Sequence, residues 1–377
     1  MKAVAIFSHD LLPFSCTFIK EQAFALKEYE PTFFGTRKLQ GGVSLSPKTV
    51  YCLAETDSTS DKLKCLRYSM GMGAPSLEKA IKTVRPKLLH AHFGTVGALA
   101  FPLARKYSLP LIITLHGYDI TMRPRKFHRS DHGLRNFRHR ITDLVSYNTR
   151  FIAVSNFIKE KAIKAGISED RITRHFIGVD LSKFLFLPGP REKIILFVGR
   201  LIEKKGCEYL LRALAGLRDS HAEVRAIIVG EGTLRPRLEK LARDLRVPAN
   251  FVGIKSPEEI SALMSRAWCL CVPSIEASNG DAEGFGIVFI EAQACGLPVV
   301  SFKSGGVPEA VCHGTTGLLA EERNVEELTR CLLALISDGD LWSKYSAACR
   351  PWVESHFDLE KQTNELEAIY DSCWNRP

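Results

Sequence analysis

Glu283 and Glu291 stand with seven residues between them in EGFGIVFIEAQACGLPVV, where Gly-Phe-Gly follows the first acid and Cys-Gly-Leu-Pro the second. Two carboxylates at that interval suit an elongated ligand with hydroxyls at both ends. If Phe285 to Cys295 is helical, a rise of about 1.5 Å per residue sets them roughly 12 Å apart along the axis. A hexose and a ribose joined by a diphosphate are separated on that order. The amides of Phe285, Gly286 and Ile287 would then lack intrahelical partners at the positive end of the helix dipole, where a phosphate or sugar hydroxyl can accept from them. Gly284 and Gly286 let a ligand approach the backbone. An acid in a first turn often does no more than complement the dipole. Here Ile287, Val288, Phe289, Ile290, Ala292, Ala294 and Cys295 make the helix apolar on most sides, so Glu291 is expected buried and in need of the donors that ribose hydroxyls supply.

FVGRLIEKKG, residues 197–206, ends a strand at Gly199 and carries Arg200, Lys204 and Lys205 through a tight turn. Arg200 can fork onto phosphate oxygens, with Lys205 as a compact charge beside it, and such a pair substitutes for a metal when a nucleoside diphosphate departs. The bland alternative is a Lys-rich surface turn. In the first half, LLHAHFG and LIITLHGYD put His92 and His116 at strand ends followed by glycines. That is where parallel sheets keep reactive groups. His116, with Gly117 and Asp119, either faces a sugar or is a strand-end histidine bonded to backbone. Ser15, Cys16 and Thr17, like Ser155 and Asn156, follow a strand and can cap a helix, contact a ligand, or both.

Several chemistries lose their support. No G-x-G-x-x-G follows a strand and no G-x-x-x-x-G-K-[ST] occurs, which removes the usual dinucleotide and P-loop signals. No metal is expected. Asp338-Gly339-Asp340 reads as a helix-ending glycine with an N-cap aspartate for the next helix, and His128 and His132 sit in the most basic stretch, where a cation is repelled. That stretch, Thr121 to Arg150, sets Arg123, Arg125, Lys126, Arg129, Arg135, Arg138, Arg140 and Arg150 against Asp131 and Asp143, a net of +6 within a chain of +9. It is either a solvated face or a patch for an anionic membrane surface or a phosphorylated acceptor. Nucleic acid fits least, for want of any binding motif.

These groups need a scaffold. A chain of 377 residues with 45% hydrophobic and 25% charged content is an ordinary globular protein, long enough for two cores. The start, MKAVAIFSHD, reads as a strand rather than a signal peptide, and no run reaches the roughly 18 apolar residues that span a bilayer. Eleven cysteines scattered through apolar runs are expected reduced, in the cytoplasm. Strands at Ala3–Phe7, Pro31–Phe34, Thr49–Leu53, Lys87–Ala91, Leu111–Leu115, Phe151–Val154 and Arg171–Phe176 alternate with helical patterns. A second series follows the Pro-rich FLPGPREK: Ile194–Gly199, Val224–Val229, Asn250–Gly253, Cys269–Val272, Pro298–Phe302 and Gly317–Leu319. The fold class is α/β: two doubly wound, Rossmann-like domains facing a cleft, at 1–187 and 188–355, with 356–377 as a helix returning to the first domain.

FVGRLIEKKG, VGEGTLRPRLE, VPSIEASNGDAEGFGIVFIEAQACGLPVVSFKSGGVPEAV and, more weakly, LLPFSCTFIKEQAFAL, LLHAHFG, TLHGYD and FIAVSNF together resemble the GT-B glycosyltransferases of family 4, retaining enzymes that include bacterial polysaccharide and lipopolysaccharide transferases. The resemblance spans most of the chain. It implies that Glu283 meets the donor sugar and Glu291 the ribose, that Arg200 and Lys205 hold the diphosphate with the amides from Phe285 to Ile287, that His116 meets the sugar, and that Val252 to Ile254 meet the base. Donor contacts from Ser15 and Thr17 follow in the same way. Two departures stand out: Ile177 replaces the usual Asn in HFIGVD, and Ser15-Cys16-Thr17 replaces a Gly-Gly turn. The implied reaction is metal-independent, front-face hexosyl transfer from a UDP- or GDP-linked sugar to a glycan or lipid-linked acceptor, with no cofactor. The basic residues from Arg123 to Arg140, with Asp119, are the expected acceptor or membrane surface. Alternatives are a nucleotide-sugar epimerase, a sugar-phosphate synthase and a non-catalytic sensor.

Overall fold

The computed structural model describes residues 1–13, 16–39, 42–56, 58–123, 132–147, 149–187, 189–218 and 220–373. The chain divides into two units, Met1–Gly178 with Leu359–Pro377, and Val179–Asp358. The Pro-rich segment read from sequence as the boundary falls later, inside the second unit.

Unit 1 contains β1 (Lys2–Leu11), α1 (Thr17–Phe24), β2 (Tyr29–Lys38), β3 (Val50–Ala54), α2 (Thr59–Ser69), α3 (Pro75–Val84), β4 (Leu88–His92), α4 (Gly94–Lys106), β5 (Leu111–Leu115), α5 (Tyr118–Thr121), α6 (His132–Ser146), β6 (Arg150–Ala153), α7 (Asn156–Lys164) and β7 (Ile172–Arg174). Its strands run parallel in the order β3-β2-β1-β4-β5-β6-β7. Every residue of β4 and β5 is buried, as expected of strands covered on both faces.

Unit 2 follows the same plan with β8 (Ile194–Val198), α8 (Cys207–Ala215), β9 (Arg225–Val229), α9 (Arg235–Asp244), β10 (Ala249–Gly253), α10 (Pro257–Arg266), β11 (Cys269–Cys271), α11 (Ile287–Ala294), β12 (Val299–Phe302), α12 (Val307–Ala310), β13 (Gly317–Ala320), α13 (Val325–Ser337) and α14 (Gly339–His356). The strand order is β10-β9-β8-β11-β12-β13, all parallel. Helix α10 begins with a full capping box, Ser256 with Glu259. Between α13 and α14 the N-cap is Asp338, which accepts from the Leu341 amide at 2.9 Å, and Gly339 is already helical. The aspartate cap expected from sequence is thus Asp338, and Gly339 opens the second helix instead of ending the first.

The last helix, α15 (Leu359–Asp371), belongs to unit 1. Glu367 accepts from the amides of Lys27 and Glu28 at 2.8 and 2.7 Å, where β2 begins, and the His175 ring bonds the Gln362 carbonyl at 2.7 Å. Among the described residues no helix is long and apolar enough to cross a membrane.

Candidate active site

In unit 2 the chain switches sides of the sheet between β8 and β11, the place where carboxyl-end loops part and ligands sit in open parallel sheets. The loop after β8 carries Arg200, Lys204 and Lys205. The loop after β11 carries Ser274, Asp281 and Glu283. Lys205 Nζ donates to Glu283 Oε2, with Ser274 Oγ 3.5 Å from the same oxygen. Lys204 pairs instead with Asp281 at 3.0 Å, and both side chains are about nine-tenths buried. Ser278 donates to Glu203 through its amide and hydroxyl at 2.9 and 2.8 Å, and the Ile275 amide donates to the Lys204 carbonyl at 2.8 Å. The two loops are thus fastened as one body.

Burial pushes the Glu283 carboxyl up, but Lys205 and Lys204, with exposed Arg200 nearby, outweigh it and hold the group down at about 2. It is an ionised acid in a nearly dry place. An ammonium has three donors, so the one given to Glu283 leaves others for phosphate oxygens. The Glu283 carbonyl accepts from Gly306 at 2.9 Å, and Gly305, at φ +58°, lies so close that a Cβ there would stand 2.3 Å from that carbonyl. Sequence reasoning missed Asp281, Ser274 and this glycine pair. The signal for the pair was Gly-Gly two residues after the strand VVSF.

The expected helix from Phe285 starts later. Gly286, at φ +90°, breaks the turn, and α11 begins at Ile287, so Glu283, Gly284 and Phe285 precede the helix. The helical spacing of 12 Å therefore does not apply to the two acids, and the unpaired first-turn amides begin at Ile287. Gly284, Phe285 and Gly286 are buried, while Ile287 and Glu291 are only partly so. The expectation of a buried Glu291 is corrected: the apolar neighbours fill the core and leave the acid at its margin. Ile254, beyond the end of β10, is 74% exposed.

In unit 1, His90 and His92 share a face of β4 by the two-residue period, and His116 follows β5. Their rings stack in series, with centroids 4.3 Å apart for His90 and His92 and 5.3 Å for His92 and His116. His92 Nδ1 lies 3.1 Å from His116 Nε2, and His90 bonds the Tyr370 and Thr114 hydroxyls at 2.7 Å each. Burial pushes His92 down to about 3 and the other two well below their ordinary range, with His92 lowering His116 further. All three are neutral near pH 7. His116 Nδ1 is shut off from solvent and has no hydrogen-bond partner. The rings of Phe18 and Phe93 flank His116 at 5.1 and 4.6 Å.

Asp119 does not face a ligand. It is fully buried and accepts from the amides of Gly94 at 2.7 Å and Gly117 at 2.9 Å, so it fixes the loops around His116. Burial raises its carboxyl above the ordinary value against the pull of these amides. Arg138 leaves the expected surface patch for a related reason. It is half-buried, donates to the Ile120 carbonyl and lies in the field of Asp119. Arg140 Nε donates to Asn136 at 3.0 Å, Arg135 is partly buried, and Arg123 is exposed. Arg125, Lys126 and Arg129 lie outside the described residues, as do Ser15 and His128. Thr17 opens α1, whose N-cap residue Cys16 gives no side-chain cap to the helix. Ser155 caps α7, accepting from the Ile158 amide at 3.1 Å. Among the described residues no three His, Cys, Asp or Glu side chains are placed so that they could hold a metal ion.

Two family models match the chain: glycosyl transferases group 1 over residues 183–351 and glycosyltransferase family 4 over residues 54–183. The amylovoran biosynthesis glycosyltransferase AmsK of Erwinia amylovora is 30% identical over 289 residues, covering 74% of this chain and 69% of that protein. A glycogen synthase of Mycobacterium tuberculosis is 30% identical over 297 residues, with coverage of 76% and 69%. Among solved structures, Anabaena HepE in complex with UDP and glucose superposes with a TM-score of 0.78 at 20% identity, covering 99% of this chain and all of that one. That likeness is one of fold.

Proposed function

We propose that this chain, which belongs to the family 4 glycosyltransferases of GT-B fold, moves a hexose from a UDP- or GDP-linked sugar to a hydroxyl of a glycan or lipid-linked acceptor with retention. The observation that carries this reading is the ionised, buried Glu283 held against Lys205 at the switch point of unit 2. Glu283 accepts from hydroxyls of the transferred hexose, and Glu291 accepts from the ribose. Lys205 and Arg200 neutralise the charge that builds on the diphosphate as the sugar leaves, a task for which no metal or cofactor is proposed. The amide of Ile287 adds a donor at the helix mouth, and Ile254 offers apolar contact to the base. In unit 1, His116 is proposed to face the sugar in its neutral form.

Asp119 is enclosed and bound to two amides, which removes the acid nearest His116 in sequence as a nucleophile. The reading is therefore front-face transfer. The acceptor oxygen bonds C1 on the face from which the phosphate oxygen departs, and that departing phosphate takes the acceptor proton. Arg123, Arg135 and Arg140 are proposed to meet an anionic acceptor. No disulfide joins any of the eleven cysteines, which suits a reducing cytoplasm.

Lys205→Ala should lower kcat/KM by about 10²–10³, measured as nucleoside diphosphate release in the presence of an acceptor glycan. The anomeric configuration of the product, read by NMR, checks retention. Donor turnover without acceptor would point to an epimerase or synthase, and donor binding without turnover to a sensor. A trapped glycosyl-enzyme adduct would eliminate the front-face route.

A further inference from the structure

Twelve large apolar side chains are exposed among the described residues, and four of them, Leu63, Leu66, Met70 and Met72, fall within ten positions. They belong to α2 and the turn after it. Helix α2 packs on β3, the edge strand of the unit 1 sheet, so this stretch forms a margin of that unit. Asp61, Cys65 and Tyr68 recur at four and three residues and face inward. Leu63, Leu66 and Met70 recur at three and four residues on the opposite side, each more than half exposed. A helix that only met water would carry polar groups there. Lys62 and Arg67, both exposed, border the apolar stripe on its two sides.

The charge around the stripe is predominantly positive. From Thr59 to Lys87 seven Lys or Arg stand against Asp61 and Glu78, a net of +5. Both acids are already engaged, Asp61 with Lys64 and Glu78 with Lys106, each at 2.7 Å. Beside the stripe, an open cleft of about 940 Å³ is lined by Ser60, Leu63, Lys64, Arg67 and Ser76 together with the acids Glu55 and Asp61, the latter paired with Lys64, so cations and hydroxyls stand next to exposed leucine.

We propose that this face of α2 docks on an anionic lipid bilayer. Leu63, Leu66, Met70 and Met72 enter the boundary between headgroups and acyl chains, Lys62 and Arg67 lie at the level of the lipid phosphates, and the adjoining cleft receives a headgroup. A second copy of the chain is a poorer match, because a two-fold contact through this face sets Lys62 and Arg67 against their own counterparts. The surface is distinct from the basic stretch after Thr121, whose Arg138 is drawn inward. It stands whether or not the transferase reading holds.

The test is sedimentation of the full chain with vesicles of phosphatidylcholine alone or with about 30% phosphatidylglycerol, at ~50 and ~500 mM salt. Anionic vesicles should bind about tenfold more protein or better, and salt should remove most of the difference. Leu63→Ser with Leu66→Ser, and separately Lys62→Glu with Arg67→Glu, should each lower binding about tenfold. Melting temperature should not change, since all four side chains are exposed. Met70→Ser with Met72→Ser lies beyond the helix and gives the same readout should a helix variant fail to fold. Equal binding to both vesicle types, or variants that bind like the parent, overturns the proposal. A solution dimer that the serine variants split also overturns it, and assigns the stripe to a second copy.

Discussion

Where β4 and β5 end, unit 1 gathers three imidazoles that burial keeps neutral. Where β8 and β11 lead out, unit 2 gathers two ion pairs in surroundings almost as dry. The sheets share one topology, yet the strand ends meet desolvation in two ways. A neutral ring is accommodated by stacking and single hydrogen bonds, whereas a charge this far from water requires an opposite charge. The contrast suits the proposed ligand, whose sugar is an uncharged polyol and whose diphosphate is an anion.

Acid should separate the two units most strongly. A histidine whose folded pKa lies below its ordinary 6.5 binds a proton less readily when folded, so stability is lost as pH falls below about 6.5. For His92 the loss continues to about pH 3. Glu283 behaves as a depressed carboxylate. Its contribution is intact above its ordinary value of 4.5 and fades as pH falls toward about 2. Between pH 6.5 and 4.5, peptides from β4 and β5 should lose amide-exchange protection while those from β8 and β11 keep theirs. The reverse order would break the comparison.

A smaller effect tests whether the cations of unit 2 need their partners. Asp281→Asn leaves the Lys204 ammonium buried beside a neutral amide and should lower stability by about 3 kcal/mol in denaturant unfolding. Adding Lys204→Met to an Asp281→Leu background should recover most of it, because an apolar pair asks for no desolvation of charge. If the double variant is as unstable as the single one, the pair is not what fastens the two loops. The smallest effect belongs to Ser155, which follows β6 and caps α7. Ser155→Ala should cost about 1 kcal/mol and leave turnover unchanged. A drop in turnover would extend the unit 1 site beyond β5.

The strands were legible because short apolar runs bounded by turn residues recur through both halves, and every strand read from sequence corresponds to one in the sheets. Glu283 and Lys205 were legible as types and positions, but their pairing was not, since 78 residues separate them. Lys204 and Lys205 look identical in a Lys-rich turn, and only the folded loop gives one to Asp281 and the other to Glu283. Gly286 was read as an approach for ligand, while its positive φ also delays the helix. The burial of Asp119 and the half-burial of Arg138 are not legible, because burial leaves no mark on a polar letter. His90 was overlooked although its spacing from His92 placed both on one face.

Unit 1 is assembled from two stretches of chain with all of unit 2 between them. During synthesis the Tyr370 hydroxyl cannot reach His90, nor Glu367 the amides ahead of β2, until some 180 intervening residues have left the ribosome. The contiguous unit can close first. The earlier-made sheet must wait, with an unfinished flank for chaperones and proteases to inspect, so a chain cut short before Leu359 would advertise its own incompleteness.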